Sequence, residues 1–361
     1  MPRTSAAAPT SPSDANPRPA SVSHPAHRPA TLADPVAVWP VLGVGSELLP
    51  ALRPEQVLGV VRYGSASAAP AWAELSVDLP PVAGTADSEV WLSGVPVSRG
   101  ELGPIRYGHN GSVLFAGYCC REQEGETPEQ VTYRIYRQLL QASARLGYRH
   151  LLRVWNYFPD INGNLLGLER YQRFSLGRYQ AFEEAGYRFD GDLPAASAVG
   201  SRAGGDYCVF LLAGKQPGLQ IENPRQVSAY RYPLQYGPRS PSFSRATLAD
   251  WGSEQQLFVS GTASIAGHAS LHPGQVEAQL AETLLNIQTL LDQPGLPRRA
   301  QLGGLGADAH VKVYLRHADH ADRVRRGMVR ALGRQAPVLY LQGDICRRDL
   351  LLEIEAVVRL R

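Results

Sequence analysis

The chain has 361 residues, 44% of them hydrophobic, so it is long enough for two domains or one large one and can bury a substantial core. Its formal net charge of +3 at pH 7 is too small to indicate a nucleic-acid partner, and no stretch approaches the roughly 20 apolar residues that a membrane-spanning helix needs. The composition therefore predicts a protein without a nucleic-acid partner and without a membrane partner.

The basic residues are almost all arginine, because Lys215 and Lys312 are the only lysines among 36 basic residues. Genomic base composition alone can produce such a bias. The alternative is a requirement for arginine itself, whose planar guanidinium binds a carboxylate through two parallel hydrogen bonds.

Residues 1–35 are mostly proline, alanine and serine, with Val22 and Leu32 almost the only large apolar side chains. A secretory signal needs a continuous apolar core of about 7 to 15 residues, which this stretch lacks. We interpret it as a disordered tail that precedes the folded chain.

The four cysteines, Cys119, Cys120, Cys208 and Cys346, do not have the spacing of a metal site. The adjacent pair points to opposite faces if extended, and the other two lie in apolar runs. This pattern favours a reduced, cytoplasmic protein that binds no metal.

From residue 36 onward the chain repeats one pattern of elements: strand, helix, strand, helix, strand. Both first helices have the apolar spacing of an amphipathic helix. Three residues recur about 144 positions apart. A glycine ends the first strand (Gly117 and Gly261), a proline opens the first helix (Pro128 and Pro273), and an aspartate stands at the start of the closing strand (Asp206 and Asp349). The repeat predicts an α+β fold of two fused units, each a mixed sheet with helices packed on one face. The predicted boundaries are 36–215 for the first unit, 216–250 for a linker and 251–361 for the second.

The closing strands differ at one position, where Glu353 of the second copy takes the place of Phe210 in the first. An apolar residue is the default in such a strand, and a carboxylate among leucine and isoleucine neighbours is costly unless it faces a polar cavity. Two interpretations remain open. Glu353 lies on a solvent-exposed face, or it is a buried carboxylate that holds a proton near neutral pH.

The second copy resembles domains of the RidA/YjgF type, which have a chorismate-mutase-like fold. The resemblance lies in Phe-Val-Ser-Gly-Thr-Ala-Ser-Ile at 258–265, the helix around 279–287, the strand at 311–315 and Leu-Glu-Ile-Glu-Ala at 352–356. It implies a ligand cavity between neighbouring domains, with a glutamate of the last segment inside it. The first copy is then a degenerate RidA-like unit.

Nearly everything after residue 100 resembles the chorismatase family. The segments that carry this resemblance are 153–162, 168–178, 220–233, 236–245, 261–268 and 343–350. The resemblance implies an enzyme that cuts the enolpyruvyl ether of chorismate and releases pyruvate, with no metal and no organic cofactor. Glu353 is then the general acid that protonates the methylene carbon.

Chorismate carries two carboxylates, and arginines are the side chains suited to hold them in a closed pocket. The arginine- and tyrosine-rich linker is the main candidate for this clamp, although such a segment can also be a solvated connector. The predicted substrate-binding residues are Arg153, Tyr157, Arg170, Arg225, Tyr230, Arg231, Arg239 and Gly261.

Two positions bear on the product. Family members that form 3-hydroxybenzoate resemble this chain in having a cysteine seven residues before the glutamate, here Cys346, and a glycine at the place of Gly261, whereas hydrolytic members have alanine at both. Cys346 is therefore predicted to act in the site, and the alternative is a small core residue. One branch of the family also forms 4-hydroxybenzoate, and the sequence leaves that by-product open.

Two other functions remain as alternatives: a RidA-like imine or enamine hydrolase, and a metabolite-binding module without turnover. Two fused copies can complete a shared cavity within one chain, so we expect a monomer.

Overall fold

The computed structural model describes residues 37–42, 52–64, 73–82, 87–252, 254–296 and 301–360. The segment 1–35, predicted to be a disordered tail, lies outside the described residues. The first four described strands are β1 (Val38–Leu42), β2 (Val57–Tyr63), β3 (Glu74–Val77) and β4 (Ser88–Ser93). They form a sheet of their own in the order β1-β4-β2-β3, which we call the N-terminal sheet.

The N-terminal sheet falls within the bounds 36–215 predicted for the first unit but is separate from the sheet that follows. We use the name first unit for the six-stranded sheet and two helices that come after it. Its elements are β5 (Ser98–Leu102), β6 (Ile105–His109), β7 (Val113–Cys120), α1 (Pro128–Arg145), β8 (His150–Pro159), the short hairpin β9 (Asn164–Leu165) and β10 (Leu168–Glu169), α2 (Arg170–Glu184), β11 (Ala195–Ser201) and β12 (Tyr207–Gly214).

The second unit begins inside the arginine- and tyrosine-rich segment, which supplies its first two strands. Its elements are β13 (Leu219–Ile221), β14 (Ala246–Asp250), β15 (Gln255–Thr262), the short pair β16 (Ile265–Ala266) and β17 (Ala269–Ser270), α3 (Val276–Leu291), β18 (Ala309–Leu315), α4 (Ala321–Leu332), β19 (Val338–Gln342) and β20 (Leu352–Leu360).

The two six-stranded sheets have the same strand order, β11-β8-β12-β7-β6-β5 in one and β19-β18-β20-β15-β14-β13 in the other. In both sheets the pair at the β11 or β19 edge is parallel and all other pairs are antiparallel. The predicted α+β class, with two fused units of the RidA/YjgF-like type, is confirmed.

One helix start agrees with the sequence pattern and one does not. Helix α1 begins at Pro128 behind a threonine capping box, as predicted. Helix α3 begins at Val276 and not at Pro273, because His272 and Gly274 have φ values of 57° and 73°. This left-handed backbone cannot continue into a right-handed helix. Among the helices described, none is both long and apolar enough to cross a membrane.

The helices of each unit cover the outer face of its sheet, and the inner faces of the two sheets meet in an aromatic interior. Phe210 stacks on Trp155 at a centroid distance of 4.7 Å, within one buried cluster that also contains Tyr314 of β18. Trp91 of the N-terminal sheet packs against Trp155 at 5.5 Å, so the third sheet also borders this interior.

The cysteines depart from the expectation of a fully reduced protein. Cys119 of β7 and Cys208 of β12 are register partners whose Cα atoms lie 4.0 Å apart, and a disulfide joins them. Cys120 and Cys346 are free thiols. The expectation of reduced cysteines was wrong for Cys119 and Cys208, because strand pairing brings together cysteines that lie far apart in the chain. Such bonds are rare in the cytoplasm.

The duplicated fold yields a test at Phe210, the residue that matches Glu353. Replacing Phe210 with glutamate puts a carboxylate among aromatic rings and near Lys312, whose amino group lies 5.8 Å from the ring centre of Phe210 but is already paired with Glu89 and Glu355. We therefore expect the free energy of unfolding to fall by several kcal/mol. Phe210→Leu is the control and should cost only about 1 kcal/mol. Urea denaturation at pH 7 measures both, and equal losses would contradict the assignment of this position to a closed interior.

Candidate active site

A cavity of about 430 Å³ lies where the two units and the segment between them meet. Its size is in the range of sites that bind small molecules. Side chains of α2 and β11 line it from the first unit, and side chains of β15, β20 and the loop 346–349 line it from the second. Residues between 232 and 245, in the arginine- and tyrosine-rich segment, complete the wall.

Glu353, predicted as the acid, lines this cavity and is only 4% exposed, so it does not lie on a solvent-facing surface. Its Oε1 has no hydrogen-bond partner among the described residues. Gly261 makes room for the carboxylate, because a Cβ at that position would lie 2.0 Å from Oε1 of Glu353. A β-bulge between Val259 and Thr262 disturbs the pairing of β15 with β20 at this point. An alanine at position 261 is therefore incompatible with this position of Glu353.

Glu355 lies two residues further along the same face of β20 and is held by four donors. Its Oε2 accepts hydrogen bonds from Ser197 Oγ at 2.5 Å and from Arg153 Nη2 at 2.8 Å. Its Oε1 accepts from Trp155 Nε1 at 2.6 Å and pairs with Lys312 Nζ at 2.9 Å. Each carboxylate oxygen of Glu355 thus has two donors, and the residue is buried.

The two glutamates have opposite protonation states at neutral pH. Burial, and then the charge of Glu355, raise the pKa of Glu353 to about 8. Burial also acts on Glu355, but Lys312 and Arg153 outweigh it and lower its pKa to about 2. Glu353 is therefore a carboxylic acid with a proton to donate, and Glu355 is a fixed carboxylate. Two carboxyl groups with pKa values pushed apart are typical of acid–base sites.

Cys346 lies half-buried in the cavity wall. Burial, and then the nearby Glu353, raise the pKa of its thiol to about 12. At neutral pH it is thus a neutral thiol and neither a thiolate nucleophile nor a metal ligand. Within the described part of the chain, no group of three or more His, Cys, Asp or Glu side chains is arranged to hold a metal ion.

Four arginines outside the predicted set line the cavity. Arg348 is largely exposed and pairs with Glu169 at 3.5 Å, and we call the other three, Arg178, Arg245 and Arg347, the cavity arginines. Arg178 and Arg245 are 2% and 5% exposed, and the Nε of each has no hydrogen-bond partner among the described residues. Arg347 donates from Nη1 to the main-chain oxygen of His268 at 2.8 Å and lies 4.1 Å from the ring centre of Tyr236. Buried guanidinium groups with unused donors are suited to an anionic ligand.

Three of the predicted binding residues lie in the first unit but are not among the residues that line the cavity. Arg153 is engaged by Glu355 and Ser197. Tyr157 shares a hydrogen bond with the hydroxyl of Tyr314 at 2.7 Å in the aromatic interior. Arg170 forms an ion pair with Glu122 and donates to the main-chain oxygen of Pro159 at 3.0 Å.

The predicted residues of the arginine- and tyrosine-rich segment also lie outside the cavity lining. Arg225 pairs with Glu282 of α3 at 2.7 Å. Arg231 is exposed, 5.5 Å from the ring centre of Tyr230, which packs against the helical core of the first unit. Arg239 is exposed and lies 4.3 Å from the ring centre of Tyr179. Of the predicted residues, the structure brings together Glu353, Cys346 and Gly261 at the cavity.

The sequence offered a signal for only one of the three cavity arginines. Arg178 lies on α2 four residues after Phe174 and four before Phe182, both of which are buried, so helical spacing places it on the buried face. Arg245 precedes a strand, and Arg347 lies in a loop, where no periodicity indicates the direction of a side chain.

The chain was also compared with known proteins. Residues 89–213 match the family model described as "Chorismatase FkbO/Hyg5-like, N-terminal". A 3-hydroxybenzoate synthase from Streptomyces hygroscopicus is 38% identical over 321 residues, covering 84% of this chain and 91% of that protein. A chorismatase from the same species is 39% identical over 274 residues, covering 75% of this chain and 79% of that protein. A crystal structure of a chorismatase is 32% identical with a TM-score of 0.77, and the match covers 90% of this chain and 98% of that one.

The raised pKa of Glu353 predicts a pH-dependent stability difference for Glu353→Gln, which keeps the volume of the side chain. Folded wild-type protein keeps this proton up to about pH 8, whereas the unfolded chain loses it near the ordinary pKa of 4.5. The folded state binds more protons between these values, so this group lowers the free energy of unfolding as pH rises from about 4.5 to 8. The Tm of the variant minus that of the wild type should grow over this interval and then level off. A constant difference between pH 5 and pH 9 would contradict the raised pKa.

Proposed function

This chain belongs to the chorismatase family, and we propose that it cleaves chorismate to pyruvate and 3-hydroxybenzoate with Glu353 as the general acid. The observation that carries the proposal is a buried carboxyl group, that of Glu353, whose Oε1 has no hydrogen-bond partner among the described residues and which lies in a cavity also lined by four arginines. A neutral acid beside cationic groups is the combination that an anionic, acid-labile enol ether requires.

The chemistry begins at the enolpyruvyl group of the substrate. Glu353 donates its proton to the methylene carbon, and the ether carbon becomes an oxocarbenium-like centre. The ring hydroxyl adds to that centre and loses its proton. The bond from this oxygen to the ring then breaks while the neighbouring ring carbon loses its proton, which makes the ring aromatic. The alkoxide left on the side chain collapses to pyruvate and expels the aryl oxygen, which takes up a proton and gives 3-hydroxybenzoate. Chorismate, pyruvate and 3-hydroxybenzoate balance without added water, because the ring loses the water that the enolpyruvyl group gains. The cavity therefore has to hold the ring until this exchange is complete.

Arg178, Arg245 and Arg347 are the proposed partners of the two substrate carboxylates. The unused Nε donors of Arg178 and Arg245 support this assignment, since a buried donor without a partner costs free energy until a ligand satisfies it. Arg347 is supported by its position, because two bonds from Nη1 to His268 and Ser270 fix its guanidinium at the cavity wall.

The proposed product depends on Cys346 and Gly261, which line the same cavity as Glu353. Gly261 leaves the space that the carboxylate of Glu353 fills, and Cys346 presents a neutral thiol to the same cavity. The relative named 3-hydroxybenzoate synthase, which spans most of this chain, supports the same product.

We propose that the enzyme acts as a monomer in the cytoplasm. Both units and the segment between them supply cavity walls within one chain, so a second copy is not needed to complete the site. Chorismate carries two negative charges and does not cross a membrane unaided, which favours an enzyme located where the substrate is made. This argument outweighs the Cys119–Cys208 bond, because disulfides are rare in the cytoplasm but not excluded from it.

Glu353→Gln should lower the rate of pyruvate release from chorismate at least ~100-fold, the usual effect of losing a general acid. The wild-type rate should fall as pH rises through about 8, because the acid form of Glu353 is lost there. A coupled lactate dehydrogenase assay measures both.

Circular dichroism of the glutamine variant is the control for folding. Near-wild-type pyruvate release by a folded variant would remove Glu353 from the mechanism. Inactivity of the wild type on chorismate, together with hydrolysis of imino acids, would favour the RidA-like alternative.

Arg→Lys changes separate the cavity arginines from those of the linker. Arg245→Lys and Arg347→Lys keep the charge but lose the two-pronged geometry, so each should raise KM at least ~10-fold. Arg231→Lys and Arg239→Lys are matched controls in exposed positions and should leave KM unchanged. A raised KM in Arg231→Lys and Arg239→Lys, with an unchanged KM in Arg245→Lys and Arg347→Lys, would indicate instead that the linker arginines bind the substrate carboxylates.

Cys346→Ala should retain pyruvate release but shift the product from 3-hydroxybenzoate toward the non-aromatic diene diol. Reversing a product ratio from 10:1 to 1:10 needs only about 2.8 kcal/mol between competing barriers, which one side chain beside the ring can supply. Gly261 is left unchanged in this test because a Cβ there would collide with Glu353. Chromatography of the products decides, and an undiminished share of 3-hydroxybenzoate would make Cys346 a packing residue only.

A further inference from the structure

A continuous chain of buried polar contacts links the cavity to the N-terminal sheet. Glu355, two residues from Glu353, pairs with Lys312 at 2.9 Å, and Lys312 pairs with Glu89 of β4 at 2.7 Å. We propose that this chain holds Glu353 in its acid form, and that Glu89, on a sheet outside both units, is a positioning residue for the reaction. The proposal rests on the role of Glu353 as the acid.

The members of this chain are all closed off from solvent. Glu89, Lys312, Glu355 and Arg153 are between 1% and 4% exposed. Glu89 also accepts a hydrogen bond from the hydroxyl of Tyr63 at 2.8 Å. Burial works against the charge of Lys312, but Glu355 and Glu89 outweigh it and raise the pKa of the ammonium group. Lys312 is therefore an ammonium group paired with two carboxylates in the folded protein.

The charges of this cluster cancel, since Arg153 and Lys312 balance Glu89 and Glu355. A carboxylate at position 353 forms no ion pair among the described residues, and its Oε1 has no hydrogen-bond partner there, so a negative charge on it would be strongly unfavourable in this low-dielectric interior. Glu353 avoids this cost by keeping its proton. Its acid form is thus a consequence of the charge balance of the cluster as much as of its own burial.

The remaining charged and titratable groups around Glu353 come from several elements. They are Glu169 of β10, Tyr171 and Arg178 of α2, Tyr232, Tyr236 and Arg245 of the segment before β14, Tyr314 of β18, and Cys346, Arg347, Arg348 and Asp349 of the loop before β20. Arg178, Arg245 and Arg347 are the proposed partners of the two substrate carboxylates, and Arg348 pairs with Glu169 at 3.5 Å. Tyr171, Tyr314 and Cys346 are neutral at physiological pH, because burial raises the pKa of each.

Lys312 is the link through which Glu89 acts. It is shared between two carboxylates, so removing the charge of Glu89 leaves one uncompensated positive charge in the cluster. That excess favours ionisation of the nearest carboxyl group that still holds a proton, which is Glu353. The N-terminal sheet therefore contributes to the reaction through charge and not through contact with the substrate.

The test is Glu89→Gln, which preserves side-chain size and an oxygen that can accept from Tyr63 and Lys312. The alkaline limb of the kcat profile should move down by about one pH unit, the scale of one charge removed nearby, with little change in KM. In protein without substrate, the midpoint pH at which the infrared carbonyl band of Glu353 disappears should move down by the same amount. The band is assigned by its absence in Glu353→Gln.

Two further variants keep the proposal testable if Glu89→Gln does not fold. Glu355→Gln removes the charge nearest to Glu353 and should move the infrared titration further down than Glu89→Gln does. Glu89→Gln combined with Lys312→Met restores the balance of charges and should return the titration to the wild-type pH or above it.

Glu254→Gln is the matched control, because Glu254 is a buried carboxylate paired with Arg359 at 3.1 Å at the far end of β20. It should cost stability without moving the titration of Glu353. An unchanged titration in both Glu89→Gln and Glu355→Gln, or an equal shift in Glu254→Gln, would overturn the proposal. Because the infrared titration needs no substrate, this result stands whether or not the wild type releases pyruvate from chorismate.

Discussion

The carboxylate of Glu355 accepts from donors on three different strands: Arg153 and Trp155 on β8, Ser197 on β11 and Lys312 on β18. Such a set fixes a negative charge in the interior, because every lone pair that could accept a proton is already engaged. A second negative charge two residues away is then unfavourable, and Glu353 remains an acid. The protonation state of the site and the proposed chemistry both depend on this anchored charge.

The duplication explains why only one unit carries this arrangement. The matched glycines of the two repeats, Gly117 within β7 and Gly261 near the end of β15, are both places where an added Cβ would collide. At Gly117 it would meet Leu75 of the N-terminal sheet at 2.3 Å, and at Gly261 it would meet Glu353 at 2.0 Å. In the first unit the space is therefore filled by a leucine from the third sheet and by Phe210 in the matching strand. In the second unit the same space holds a carboxyl group beside a cavity.

Sequence patterns predicted the features that repeat and missed those that depend on contacts between distant segments. Periodicity and the offset between copies were sufficient for two α+β units, and the mismatch between Phe210 and Glu353 drew attention to a residue that lines the cavity. The arginine clamp was assigned to linker residues because composition shows how many arginines a segment has but not where they point. Arg225, for example, forms an ion pair with Glu282 of α3, which lies 57 residues later in the chain. The buried contact between Glu89 and Lys312 spans 223 residues and had no counterpart in any local pattern.

At neutral pH, one of the two neighbouring glutamates, Glu353, carries a proton, and the other, Glu355, does not. Neutron diffraction from deuterium-exchanged crystals grown near pH 7 observes that proton directly. The account predicts a deuteron on the carboxyl group of Glu353, none on Glu355, and three deuterons on the amino group of Lys312. A deuteron on Glu355, or two bare carboxylates, would contradict it.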